Sequence, residues 1–201
     1  MPDSSQRSLK STLRKQIQTA RAALPDRESR SRSIHDRWIQ SELHRDSQAV
    51  VCYVNVRSEV ATRDVINSLW QAEKRVAVPY CVERHLELTW ITSWTDLTAG
   101  RFGILEPTPQ LRTDPLRCPP IDELDVVLVP GVAFDFHGGR LGHGQGFYDR
   151  LLSRLPQRTM LVGVAFDCQI VSHVPAEPHD IPMHFILTES TLHDCRSDSI
   201  G

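Results

Sequence analysis

Short apolar runs recur along the chain, and polar segments or glycine and proline residues separate them. The run at 126–129 reads Val-Val-Leu-Val, and 49–54 is equally unbroken, which predicts strands buried on both faces. In chain order, the predicted strands are 49–54 (central in its sheet), 74–80 (ended by Pro79), 86–91, 126–129, 160–166 and 185–188.

Other segments carry apolar residues at helical spacing. The predicted buried positions are Leu9, Leu13, Ile17, Ala20 and Leu24 in a first helix, Ile34, Trp38 and Leu43 in a second, and Val60, Val65, Ile66, Leu69 and Trp70 in a third. Strands that alternate with helices indicate an α/β fold, here a single layered domain with a largely parallel open sheet flanked by helices. We expect one domain over 1–201, with frayed tails at 1–8 and 193–201.

The composition is typical of a soluble globular protein, with 24% charged and 40% hydrophobic residues. A net charge of −2 gives no general case for nucleic-acid binding, although residues 1–45 hold ten Lys and Arg against five Asp and Glu. No apolar run approaches the roughly 20 residues that span a bilayer, and the N-terminus lacks a secretory signal. Five cysteines without a C-x-x-C pair fit a reducing compartment. We therefore expect a cytoplasmic protein.

The densest chemical signal lies at 127–152, where a strand is followed by a glycine-rich stretch and the start of a helix. Six of the ten glycines lie from Gly131 to Gly146. Backbone N–H groups in such a stretch, next to a helix N-terminus, can bind phosphate oxygens. Arg140 can grip the same oxygens, and Asp149 in the first helical turn can hold Mg²⁺. The alternative is a flexible surface loop, and the stretch matches neither a P-loop nor a dinucleotide-binding fingerprint.

Three charged residues elsewhere are further candidates. Lys10 and Arg14 are four residues apart and share one face of the first helix, where they are either solvated or bound to anionic oxygens. Glu59 follows the strand at 49–54, at the edge where α/β sheets collect ligand-binding groups. A carboxylate there is also favourable simply because a helix N-terminus follows.

One long motif runs through the glycine-rich stretch: Pro130-Gly131-Val132-Ala133-Phe134-Asp135, then Gly139-Arg140-Leu141-Gly142-x-Gly144-x-Gly146-x-Tyr148-Asp149-Arg150. Further matches are Lys10 with Arg14, Glu59, Phe102-Gly103-Ile104-x-Glu106-Pro107, His179-Asp180 and Thr188-Glu189. From residue 9 to residue 189 this pattern resembles the 5-formyltetrahydrofolate cyclo-ligase family, also called 5,10-methenyltetrahydrofolate synthetase.

The resemblance implies an ATP-driven ring closure. The formyl oxygen of 5-formyltetrahydrofolate attacks the γ-phosphate of Mg-ATP and gives an N5-iminium phosphate. N10 then attacks the activated carbon, and phosphate leaves to give 5,10-methenyltetrahydrofolate. The implied partners are these small molecules, with Mg²⁺ as cofactor and no nucleic acid or membrane, and the implied state is a monomer or weak homo-oligomer.

The resemblance also implies roles for matching residues. The implied catalytic residues are Arg140, Tyr148 and Asp149. The implied ATP contacts are Lys10, Arg14, Arg140, Leu141, Gly142, His143, Gly144, Gln145, Gly146, Phe147 and Tyr148. The implied substrate contacts are Glu59, His143, Gly144, Gln145, Gly146 and Phe147, and the implied metal ligands are Asp149 and Asp180.

Three other functions compete with this one. A small-molecule kinase with the same ATP loop would release ADP without cyclising a folate. A non-catalytic nucleotide- or RNA-binding relative would lack the metal acids or the loop arginine, which are present here as Asp149, Asp180 and Arg140. A metal hydrolase built on His173, His179 and His184 lacks a recognisable ligand spacing.

Overall fold

The structure is a computed structural model that describes residues 4–100, 104–177 and 180–196. The strands are β1 (Ala49–Cys52), β2 (Arg75–Val82), β3 (His85–Ile91), β4 (Leu97–Ala99), β5 (Leu105–Pro107), β6 (Val126–Pro130), β7 (Ala133–Phe134), β8 (Arg140–Leu141), β9 (Met160–Val164), β10 (Phe185–Leu187) and β11 (Leu192–Asp194). The helices are α1 (Ser4–Ala23), α2 (Arg27–Ile39), α3 (Glu42–Asp46), α4 (Arg63–Gln71), α5 (Pro109–Arg112) and α6 (Phe147–Leu152).

Seven strands form the main sheet, in the order β11-β10-β9-β6-β1-β2-β3. The five inner strands are parallel, and the edge strands β3 and β11 are antiparallel to their neighbours. The predicted α/β fold with a largely parallel sheet flanked by helices is therefore confirmed. Strand β1 lies between β6 and β2, as its uniformly apolar sequence predicted.

The core has one layer on each face of the sheet. Val50 and Cys52 of β1 face one layer, which includes Trp38 of α2 and the apolar side of α4. Val51 points the other way, into a layer with Leu151 and Leu152 of α6. Because side chains alternate along a strand, a short central strand supplies both layers. Because the inner strands are parallel, their carboxyl ends lie at the same edge of the sheet. The site lies at that edge.

The sequence predicts that strand β2 ends at Pro79, and this prediction is wrong. The strand continues through Pro79 to Val82 and pairs with β3 along that length. Strand β1 pairs with β2 only as far as Ala77, so Pro79 lies where no β1 partner needs its missing N–H.

The predicted buried face of α1 is wrong in part. Ile17 is buried, but Leu9 is 60% exposed and Ala20 is exposed. The face that turns inward carries Lys10 and Arg21 instead, each less than 9% exposed. Apolar spacing misplaces the face because α1 packs over oxygen-rich loops, whose carboxylates and carbonyl groups select basic side chains.

Parts of both predicted tails have regular structure. Helix α1 begins at Ser4, inside 1–8, and β11 includes residues 193 and 194. The tail residues 1–3 and 197–201 lie outside the described residues. Within the described residues, none of the helices has the length and apolar character needed to cross a membrane.

Candidate active site

The sequence suggests one continuous loop for the glycine-rich stretch, but the structure divides this stretch into a hairpin and a shorter loop. Residues 133–141 form a hairpin in which β7 pairs with β8, and Gly138 lies in its turn with φ +88°. The carboxylate of Asp135 accepts hydrogen bonds from the backbone N–H groups of His137 (3.0 Å), Gly139 (2.8 Å) and Val174 (2.6 Å). The first glycines therefore shape a turn, and only 142–146 remain as an open loop before α6.

Gly138→Ala should lower the free energy of unfolding by about 2 kcal/mol or more. Its φ is +88°, and an added Cβ would lie 2.5 Å from the carbonyl oxygen of Met183. Gly144→Ala is the matched control, because Gly144 has the same φ but its nearest atom, in Arg14, is 3.4 Å away. Denaturant unfolding of both variants separates the cost of backbone strain from the cost of the steric clash. Equal losses in the free energy of unfolding would contradict a clash at Gly138.

A cavity of about 790 Å³ opens at the carboxyl end of the parallel strands, beside this loop. Its wall includes every residue for which the sequence implied a role: Lys10, Arg14, Glu59, Arg140, Leu141, Gly142, His143, Gly144, Gln145, Gly146, Phe147, Tyr148, Asp149 and Asp180. Residues without an assigned role, among them Arg7, Tyr80, Leu86, Ile104 and Glu177, complete it. Helix α6 has only six residues, so its dipole contributes little to the site.

Arg140 is the most buried cation of the glycine loop, with 5% of its side chain exposed. One Nη donates to a carboxylate oxygen of Asp149 at 2.7 Å, and the guanidinium carbon lies 5.6 Å from the centre of the Tyr148 ring. Its Nε is buried and has no hydrogen-bond partner in the described part of the chain. The guanidinium therefore retains one donor that no described protein group satisfies.

Helix α1 brings two more cations to the cavity wall. Nζ of Lys10 lies between the carboxylates of Glu177 (2.9 Å) and Asp180 (3.0 Å). Nε of Arg14 donates to the carbonyl oxygen of Gly142 at 2.8 Å, which attaches α1 to the glycine loop. Neither cation is simply solvated, because Lys10 pairs with two carboxylates and Arg14 donates to the glycine loop.

Glu59 also lines the cavity, with 8% of its side chain exposed. One carboxylate oxygen accepts the N–H of Val56 at 3.0 Å, and the other lies 3.8 Å from Nε2 of His143. Burial raises the pKa of the Tyr53 and Tyr148 phenols well above their ordinary value, and the Glu59 carboxylate raises both further. Both phenols therefore remain protonated donors at neutral pH.

Comparison with known proteins identifies the family. A family model described as the 5-formyltetrahydrofolate cyclo-ligase family matches residues 6–189. The chain is 38% identical to the 5-formyltetrahydrofolate cyclo-ligase of Escherichia coli K12 over 151 residues, which cover 73% of this chain and 80% of that protein. The chain belongs to the 5-formyltetrahydrofolate cyclo-ligase family.

Further relatives agree with this assignment. The cyclo-ligase of Mycolicibacterium smegmatis is 33% identical over 186 residues, which cover 89% of this chain and 93% of that protein. The NMR structure of Aquifex aeolicus 5,10-methenyltetrahydrofolate synthetase superimposes with a TM-score of 0.80 at 33% identity, over 94% of this chain and 93% of that one. As a member of the cyclo-ligase family, the chain is an enzyme of folate metabolism.

The cavity carboxylates of this cyclo-ligase suit Mg²⁺ only if phosphate oxygens complete its coordination. Asp149 and Asp180 both line the cavity, and each is paired with a basic side chain. Among the described residues, no group of three or more His, Cys, Asp or Glu side chains is arranged to hold a metal. Mg²⁺ at nucleotide sites is usually held by one or two carboxylates together with phosphates and waters. Two cavity acids match that chemistry, whereas a cage made by the protein alone would need more ligands.

Among the described residues, the histidines considered for a metal hydrolase, His173 and His184, belong to no group that could hold a metal. His173 is exposed and lies 3.9 Å from Asp135, whereas Nδ1 of His184 accepts the N–H of Leu161 at 3.1 Å. Burial lowers the pKa of His184. His179 lies outside the described residues, as do Phe102 and Gly103 of the family motif.

Sequence reasoning assigned no role to Glu177 or Arg21, which the structure places in the site network. Glu177 precedes Asp180 by three residues, and its backbone N–H donates to the Asp180 carboxylate at 2.7 Å. Arg21 follows Arg14 by seven residues, so the two share a helix face. A count of basic rather than apolar periodicity along α1 would have found Arg21. No sequence signal indicated Glu177 beyond its position beside Asp180.

Proposed function

We propose that this cyclo-ligase converts 5-formyltetrahydrofolate to 5,10-methenyltetrahydrofolate, with ATP converted to ADP and phosphate through an N5-iminium phosphate. The observation that carries the proposal is one cavity with two chemically different walls. Lys10, Arg14 and Arg140 line the part that we call the phosphate wall, where Lys10 and Arg140 are paired with carboxylates. The Glu59 carboxylate lines the part that we call the folate wall. A triphosphate and a folate can therefore meet in one enclosed space.

The phosphate wall is built for charge neutralisation. Arg140 carries an unpartnered Nε, and residues 143–145 of the glycine loop are exposed. Lys10 and Arg14 are already held at the wall by Glu177, Asp180 and the Gly142 carbonyl. Phosphoryl transfer depends mainly on alignment and charge stabilisation, so preorganised cations are the groups that this step requires.

The folate wall combines a carboxylate with apolar surface. Glu59 can accept hydrogen bonds from the N–H groups of the pterin ring, and Tyr80, Leu86 and Ile104 offer apolar area to its rings. The formyl oxygen is a weak, amide-type nucleophile, so its rate of attack depends on how closely it is aligned with the γ-phosphorus. Fixing the pterin at Glu59 supplies that alignment.

The two steps need no covalent link to the protein. In the first, the formyl oxygen bonds to the γ-phosphorus and the bond to ADP breaks. In the second, N10 attacks the activated carbon, loses its proton and expels phosphate. Arg140, paired with Asp149, is placed to stabilise negative charge on the transferred phosphoryl group. Bound Mg²⁺ would supply further charge neutralisation, with Asp149 and Asp180 as its protein ligands.

The deciding experiment mixes purified protein with Mg-ATP and 5-formyltetrahydrofolate and follows the absorbance of the methenyl product. Product that requires ATP and disappears on metal chelation supports the proposal. ADP without methenyl product would instead indicate a small-molecule kinase. ATP binding without ADP or methenyl product would indicate a non-catalytic nucleotide-binding protein.

Asp149→Asn should shift the magnesium titration of activity to higher concentration by about tenfold, because a neutral amide is a weaker ligand than a carboxylate. Asp167→Asn is the matched control, since Asp167 does not line the cavity. Activity measured against free Mg²⁺ at saturating ATP tests the shift. Identical titrations for wild type and Asp149→Asn would remove Asp149 from the proposed metal ligands.

A further inference from the structure

Arg21 is a buried cation that the proposed reaction does not use. The residue is 5% exposed, and within the described part of the chain no carboxylate lies at ion-pairing distance from it. Its Nε donates to Oγ of Ser58 at 3.1 Å and an Nη donates to the carbonyl oxygen of Gly131 at 3.2 Å. Burying a guanidinium against neutral acceptors is costly, so these two contacts call for an explanation.

Ser58 belongs to the turn that carries Glu59. The N–H of Glu59 donates to the carbonyl oxygen of Val56 at 3.1 Å, and its carboxylate accepts the N–H of Val56 at 3.0 Å. Arg57, inside the turn, has φ +53°, a conformation that is unfavourable for a non-glycine residue. The turn is therefore closed upon itself, and the Arg21 to Ser58 hydrogen bond attaches it to α1.

We propose that Arg21 is a positioning residue that holds the Glu59 turn at the cavity and so sets the affinity for the folate. This inference rests on the proposed function, because it assigns Glu59 to the folate wall. Arg21 acts through Ser58 and the turn, since Arg21 itself does not line the cavity.

The phosphate wall should be insensitive to Arg21 because its attachment is duplicated. Nε2 of Gln169 donates to the carbonyl oxygens of Gly131 and Val132, both at 3.0 Å. The Gly131 carbonyl thus keeps a donor when Arg21 is replaced, and the hairpin that follows stays anchored. Ser58 has no comparable second donor in the described hydrogen bonds. Replacing Arg21 should therefore disturb the folate wall and leave the phosphate wall in place.

The test compares Michaelis constants for the two substrates. Ser58→Ala removes the acceptor alone and should raise KM for 5-formyltetrahydrofolate by about three- to tenfold, with KM for ATP within about twofold. Arg21→Met should act in the same direction and more strongly, because methionine fills similar space but donates no hydrogen bond. Arg21→Lys, which keeps one donor, should recover part of the loss.

Arg27→Met is the control for a merely structural role. An Nη of Arg27 donates to the carbonyl oxygens of Arg21 (3.3 Å) and Ala22 (2.7 Å), so it secures the same end of α1 without reaching Ser58. It should lower the thermal midpoint but leave both Michaelis constants unchanged. Equal rises of both constants in Ser58→Ala, or a rise of the folate constant in Arg27→Met, would overturn the proposal.

Two safeguards keep the outcomes distinct. If Arg21→Met does not fold, Ser58→Ala decides alone. A wild-type protein that makes no methenyl product refutes the proposed function, and calorimetric binding of 5-formyltetrahydrofolate to wild type and Ser58→Ala then tests the positioning role directly. Equal affinities in that measurement would overturn it.

Discussion

Arg140→Met should lower kcat/KM for methenyl formation by about 10²- to 10³-fold, the usual loss when a preorganised group that stabilises transition-state charge is removed. Arg140 has this importance because it is the deeply buried cation of the phosphate wall and has an unsatisfied Nε. Steady-state rates at saturating Mg²⁺ measure the loss. Arg140→Lys should recover little, because an ammonium group cannot keep the Asp149 contact and also present a second donor in the same plane.

The control for this variant is the solvent-accessible ion pair between Arg154, which is exposed, and Glu87, which is half-buried, at 3.5 Å and outside the cavity. Arg154→Met removes the same chemical group and should leave the rate within about twofold, because surface ion pairs contribute little. The Asp149 side chain is 19% exposed, so water can solvate it once Arg140 is gone and the fold should persist. Near wild-type turnover in Arg140→Met would contradict its assignment to the phosphate wall.

Glu59→Gln should raise KM for 5-formyltetrahydrofolate by about 10- to 100-fold while KM for ATP changes by less than about twofold. The amide oxygen of glutamine can still accept the N–H of Val56, so the turn is preserved and the lost quantity is the negative charge. In the proposed binding mode the N–H groups of the folate, and not ATP, contact that charge, which is why the two constants should separate.

Glu87→Gln is the matched control, because it neutralises a half-buried carboxylate that does not line the cavity. Both constants should be unchanged in it. Parallel increases of the two Michaelis constants in Glu59→Gln would show instead that the carboxylate supports the cavity as a whole. Thermal denaturation of each variant checks that the comparison is made between folded proteins.

The sheet was predictable because its strands are encoded locally. Uniformly apolar runs such as 49–54 and 126–129 can be buried only between two layers, and that requirement fixes both strand type and central position. The continuation of β2 through Pro79 was not predictable, because it depends on where β1 stops pairing. The strand β11 was missed for a similar reason, since its three residues are defined by pairing with β10.

The predicted site residues all line one cavity, and they could be selected together because glycine, basic and acidic residues occur in a specific family pattern. What sequence could not give is which partner each one has. Lys10 lies between two carboxylates that are 167 and 170 positions away in sequence. The Gly138 turn belongs to a local hairpin, but the glycine pattern alone does not show that β7 pairs with β8. The inward face of α1 was misassigned because apolar periodicity does not report a helix that packs on polar loops.

Helix α1 contacts segments that lie far away in the sequence, and these contacts affect the order in which the chain folds. Lys10 bonds to Glu177 across 167 sequence positions, Arg14 to Gly142 across 128 and Arg21 to Gly131 across 110. Contacts of such separation carry the largest loop-closure entropy and form late. Helix α1 therefore cannot complete its contacts until residues 167 to 170 positions further along the chain have been synthesised, so the cavity is assembled late.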